Sequence, residues 1–156
     1  MIKQEANAYL RNRVLSASQG ELRLMLIDGA IKFARMGQEG IHEKNWEKVY
    51  EGVSQCQAIV LELINSLQPD AAPEICANLS GIYTFIYRRL VDACMQKDAS
   101  CIEEILPLLE HDRETWVMVM SRADRERGDT TDEASRESEA SEMEASATRP
   151  SLSIEG

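Results

Sequence analysis

Glu39-Gly40-Ile41-His42 is the first stretch of this chain whose residue types and spacing could do chemistry. An E-x-x-H pair sets two metal ligands on one face of a helix, and helical bundles that hold two metal ions use such pairs. That constellation needs a second copy, and the only other histidine, His111, has Leu108 three residues before it. The site is incomplete, and His42 suits a helix C-terminus, where a cation is favoured. The cysteines Cys56, Cys76, Cys94 and Cys101 offer no ligand set either, since no second Cys or His stands at ligand spacing. They read as reduced thiols acting as small buried hydrophobes. Nucleophilic catalysis wants a positioned base, and two histidines leave few choices. The eight glycines are scattered and form no phosphate loop. Glu103, Glu104, Glu110 and Glu114 read as a solvated helix face rather than an acid–base pair. The expectation is a protein that is not an enzyme and takes no cofactor and no metal.

Charge and composition narrow the partner. The 156 residues carry 27 acidic and 17 basic side chains, a net charge of -10, with a pI near 4.7. Such a chain lacks the Lys/Arg surface that displaces counterions from nucleic acid. It equally lacks the basic face that docks on anionic membrane. No apolar run approaches the roughly 20 residues that span a bilayer. The N-terminal Met-Ile-Lys-Gln-Glu-Ala-Asn has no apolar signal region, so the expected location is cytoplasmic. The charge is also uneven. Residues 1–123 hold 17 acidic and 13 basic side chains, whereas 124–156 hold 10 and 4, with no aromatic residue. Residues 124–156 read as a disordered acidic tail, because they cannot bury enough surface to offset the entropy of ordering. A solvated aid to solubility is its simpler role, and a partner-binding or autoinhibitory segment the sharper one.

Four helical patterns remain to position whatever the chain does. Ser18-Gln-Gly-Glu21 is a capping box, and from it Leu22, Met25, Leu26, Gly29, Phe33 and Met36 recur at three- and four-residue steps. That pattern fades around 42–45. A second helix runs from about Trp46 to Leu67 on the seam Val53, Cys56, Val60, Leu63. Pro73 opens a third, to about Gln96, on Leu79, Ile82, Tyr83, Ile86, Leu90 and Cys94. Asp98 or Ser100 caps a fourth, which carries Ile102, Ile105, Leu109 and Trp116, with Pro107 expected to kink it. Order is expected to end near Arg122. No period-two alternation appears, so no strands are expected. Short connections make consecutive helices antiparallel. The fold class is all-α: an up-down-up-down four-helix bundle over 18–123, a short N-terminal arm over 1–17, and the tail over 124–156.

The helices carry more apolar surface than one core needs. Leu24, Ile27 and Ile31 on the first, Ile59 and Leu61 on the second, and Phe85, Tyr87 and Val91 on the third are surplus to a narrow seam. Either they complete the core and scatter on the surface, or they line grooves for the apolar faces of another polypeptide.

At these residues the chain resembles the FliS family of flagellar export chaperones. The matching stretches are Ala8-Tyr9, then Val14-Leu15-Ser16-Ala17-Ser18, and Glu21 through Phe33. Glu43-Lys44-Asn45, Gly81-Ile82-Tyr83-Thr84-Phe85-Ile86-Tyr87-Arg88-Arg89-Leu90 and Arg113-Glu114-Thr115-Trp116 follow in the family's order. Two positions depart from the pattern: Gln19-Gly20 replaces the usual Pro-Glu, and Ile27 stands where tyrosine is common. The acidic tail is not part of it.

The resemblance implies a cytoplasmic chaperone that binds the disordered C-terminal segment of flagellin, prevents premature polymerisation and delivers the subunit to the export gate. For such a client groove the surplus apolar residues Leu24, Ile27, Ile31, Ile59, Phe85 and Val91 are the candidates; Tyr83, Arg88 and Arg89 match the family motif, Tyr83 as a core residue and the arginines bonding client or neighbouring helices. The arm would occupy one groove in the client's absence, anchored by Tyr9 and Val14, as an intramolecular competitor. Self-association of the apo protein as a weak homodimer stays open. The alternative class is a helical-bundle adaptor or regulator that binds some other amphipathic helix.

Overall fold

Ser18 begins the ordered core of the molecule as the capping box requires: its Oγ accepts from the Glu21 N–H at 3.2 Å. The computed structural model describes residues 2–16 and 18–147. Five helices run through them in chain order: α1 (Ile2–Ser16), α2 (Gln19–His42), α3 (Trp46–Asn65), α4 (Pro73–Gln96) and α5 (Ser100–Ala147). No strand occurs among the described residues.

Each boundary has a local cause. Asn45 Oδ1 accepts from the Lys48 N–H and caps α3. Pro73 stands at the start of α4, where its missing N–H costs nothing. Lys97 closes α4 in the left-handed conformation (φ 53°). Asp98 Oδ1 then accepts from the Ser100 N–H at 2.9 Å, which starts α5.

One hydrophobic core joins α2 to α5. Ile27, Ala30 and Ala34 of α2, Cys56, Val60 and Leu63 of α3, Tyr83, Ile86 and Leu90 of α4, and Ile102, Ile105 and Leu109 of α5 are fully buried. Burial of each large aliphatic side chain contributes about 1.5–3 kcal/mol. The α2/α3 contact is much the tightest, because glycines let the two backbones approach. A Cβ on Gly52 would lie 2.7 Å from the Gly37 nitrogen, and one on Gly40 would lie 2.8 Å from the Val49 nitrogen. The Cys56 thiol sits in this seam and donates to the Ala30 carbonyl; burial pushes its pKa up to about 12.

Two expectations need correction. The arm is helical as α1, yet Tyr9 is 66% and Val14 43% exposed, so neither anchors it in a groove. The physical reason is spacing: Tyr9, Leu10, Val14 and Leu15 spread over more than a third of the helix circumference and make no narrow stripe to bury. Order does not end at Arg122, because α5 continues to Ala147. The stretch is rich in Ala, Glu and Arg, strong helix formers, and Arg127 pairs with Asp124 one turn away. The rest of the expected tail, 148–156, lies outside the described residues. The chain divides into two compact units, Met1–Val117 and Met118–Gly156.

Candidate functional site

Between α2 and α5, within the first unit, lies an open groove of about 660 Å³. It is lined by Asp28, Ile31, Lys32, Arg35, Met36 and Glu39 of α2 and by Glu110, Arg113 and Glu114 of α5. The α2 lining residues recur at three- and four-residue steps (28, 31/32, 35/36, 39) over about three turns, so all share one helix flank. The core residues Ile27, Ala30 and Ala34 fill the face beside it.

Long side chains, not small ones, connect these two helices. Arg35 donates to Glu110 Oε1 at 2.7 Å, and Arg113 donates to Asp28 Oδ1. Near one end Trp116 Nε1 donates to the Gly20 carbonyl at 2.8 Å, and near the other Gln38 reaches Glu103. The start of α2 thus meets α5 near Trp116 and the end of α2 meets the start of α5, so the two run in opposite senses. Ile31 and Met36 give the groove an apolar floor, and seven charged side chains form its walls. The residues lining the groove include no Ser, Thr, Cys or His.

A polar latch closes the α2 end. Arg23 donates to the Tyr83 hydroxyl at 2.7 Å and to Ser66 Oγ at 3.1 Å. Its guanidinium also stacks on Trp116, 5.1 Å from the ring centroid. The Tyr83 hydroxyl donates in turn to Asp112. Burial first, then this bond to Asp112, raises the Tyr83 pKa above the usual tyrosine value. The latch joins α2, the end of α3, α4 and α5.

Of the groove residues expected from sequence, the structure gathers few. Ile31 alone of them lines the α2/α5 groove. Ile27 is fully buried, and Leu24 is half-buried. Ile59 is half-buried and faces α2, its Cδ1 3.1 Å from where a Cβ on Gly29 would sit. Phe85 and Val91 are 40% and 37% exposed. Six residues apart on α4, they point about 120° from each other and belong to different flanks. Arg88 is exposed, whereas Arg89 is engaged by Glu104 and Asp92. Glu39 of the E-x-x-H pair takes Lys48 as partner at 3.1 Å, and His42 lies 4.0 Å from Glu103. Among the described residues no group of three His, Cys, Asp or Glu could hold a metal. No described helix is long and apolar enough to cross a membrane.

Sequence reasoning missed the charged walls. Glu110 and Glu114 read as a solvated face, Asp28 and Lys32 entered only as part of the matching stretch 21–33, and Arg35 was not singled out. The available signal was the row Asp28, Lys32, Arg35, Glu39 running beside the apolar row at helical spacing.

Comparison with known proteins fits this architecture. A family model described as flagellar protein FliS matches residues 1–123. The flagellar secretion chaperone FliS of Bacillus subtilis (strain 168) is 30% identical over 126 residues, covering 81% of this chain and 93% of that protein. That of Salmonella typhimurium is 31% identical over 125 residues, covering 78% and 91%. A solved structure described as a flagellar chaperone from bacteria superposes with a TM-score of 0.63 at 16% identity, over 78% of this chain and 99% of that one. The chain therefore belongs to the FliS family of flagellar secretion chaperones.

Proposed function

We propose that this protein is a cytoplasmic chaperone for flagellin. It binds the disordered C-terminal segment of the subunit, blocks its premature polymerisation and brings it to the flagellar export gate. The reading takes α2 to α5 as an up-down-up-down four-helix bundle and residues 18–123 as the binding domain.

The observation that carries it, beside the family, is the open α2/α5 groove with Ile31 and Met36 on its floor. A disordered client loses about 2–5 kcal/mol on ordering and needs extended apolar surface in return. One groove of this size is too little alone. Exposed Phe85 and Ile82 on one flank of α4, and Val91 and Met95 elsewhere on it, supply further sites for a client that wraps. Exposed apolar side chains on α1, Tyr9 and Leu15 among them, offer a further surface to the client.

The direct test is assembly. Flagellin monomers seeded to polymerise should stay monomeric with an equimolar amount of this protein, followed by light scattering. Flagellin lacking its C-terminal segment should not co-migrate with it on gel filtration. Undiminished filament growth, or equal binding of the truncated flagellin, would contradict the reading.

A further inference from the structure

Two of the side-chain pairs in the α2/α5 groove do more than line it. Asp28 and Arg35 stand on the α2 wall, two turns apart, and Ile31 lies between them on the side facing the core. Each reaches across to α5: Arg35 to Glu110 at 2.7 Å, and Asp28 to Arg113. The pairs have opposite polarity, acid to base at one level and base to acid at the next. Ile31, the apolar floor beneath them, is only 7% exposed.

We infer that the Arg35–Glu110 and Arg113–Asp28 ion pairs are straps across the α2/α5 groove, which a flagellin-derived helix must open before its apolar side chains reach Ile31 and Met36. This rests on the chaperone reading above. The straps oppose association rather than drive it, and they sort clients. A helix enters only if its apolar contacts outweigh two broken pairs, so loosely apolar segments are turned away.

Three features of the geometry support the role. The four strap side chains are 44–60% exposed, and pairs this open to water contribute little to folding, so opening them leaves the core intact. Neither pair lies within one helix, so each spans the gap a ligand would fill. The neighbouring α2/α3 seam is closed by glycines at backbone contact and has no such gap.

The test is calorimetric titration of the full chain with a synthetic peptide of the C-terminal segment of the same organism's flagellin. Arg35→Gln and Glu110→Gln each remove one strap, and each should tighten binding about two- to fivefold. The double exchange Arg35→Glu with Glu110→Arg rebuilds the strap with reversed polarity and should return the affinity to that of the wild type. Raising NaCl from about 50 mM to about 500 mM should tighten wild-type binding, and this dependence should flatten in Arg35→Gln/Arg113→Gln. If one single substitution tightens and the other weakens, the client reads these charges directly and the strap proposal is wrong. Binding that is present but unchanged in every variant overturns the straps alone. No binding by any form removes the flagellin reading, and the straps with it.

Discussion

Tyr83 shows what a single residue can and cannot announce. Its spacing marked it as core, and it is fully buried. Its hydroxyl could not be read that way, because Arg23 and Asp112 come from 60 and 29 residues away to meet it. Tyr83→Phe keeps the ring and deletes two hydrogen bonds, leaving Asp112 short of a donor. We expect a loss of about 1–3 kcal/mol in urea unfolding, with helix content unchanged. The phenol also makes stability depend on alkaline pH. Its folded pKa is raised above the ordinary tyrosine value of 10.0, so the folded state holds the proton more tightly. The contribution is complete below pH 10 and is lost as pH rises through the folded value. Ultraviolet titration should show Tyr83 as a late-ionising component, and in Tyr83→Phe that component should vanish. Ile27 teaches the converse lesson: as surplus apolar on paper it suggested a groove, and tertiary packing put it in the core.

At the scale of elements, the starts and stops of α2, α3 and α4 were legible because their signals are local: Ser18, Asn45 and Pro73 act on the next turn alone. The order of closeness between helices was not. The glycines looked scattered in sequence, yet Gly37 and Gly52 meet across α2 and α3. Gly52→Ala would place a methyl 2.7 Å from backbone that cannot yield, so it should destabilise by about 1–3 kcal/mol despite the better helix propensity of alanine. Gly81→Ala is the control: no atom lies within 4 Å of its Cβ position, and it should be neutral or stabilise by up to about 1 kcal/mol. Chemical denaturation of the pair checks both. If Gly52→Ala is as benign as Gly81→Ala, the glycine seam is not what holds α2 on α3. The end of α5 was misread for a different reason. Low hydrophobicity argues against burial, but a helix of Ala, Glu and Arg can form without being buried, as 124–146 do.

For the whole molecule, the family model ends at residue 123 while α5 runs on to Ala147. The groove, the latch and the core all draw on residues before 118. The acidic remainder is therefore dispensable for client binding on this account, and a version ending at Arg122 should bind as the full chain does. The alternative adaptor class would present similar grooves, and partner identity separates the two. The most direct measurement is calorimetric titration of the full chain, and of the version ending at Arg122, with the C-terminal segment of the same organism's flagellin at several temperatures. The account predicts a one-to-one complex in both, with a negative heat-capacity change from coupled folding and apolar burial. Absence of binding by both forms would contradict it, and binding by the truncated form alone would make the acidic segment an inhibitor rather than a bystander.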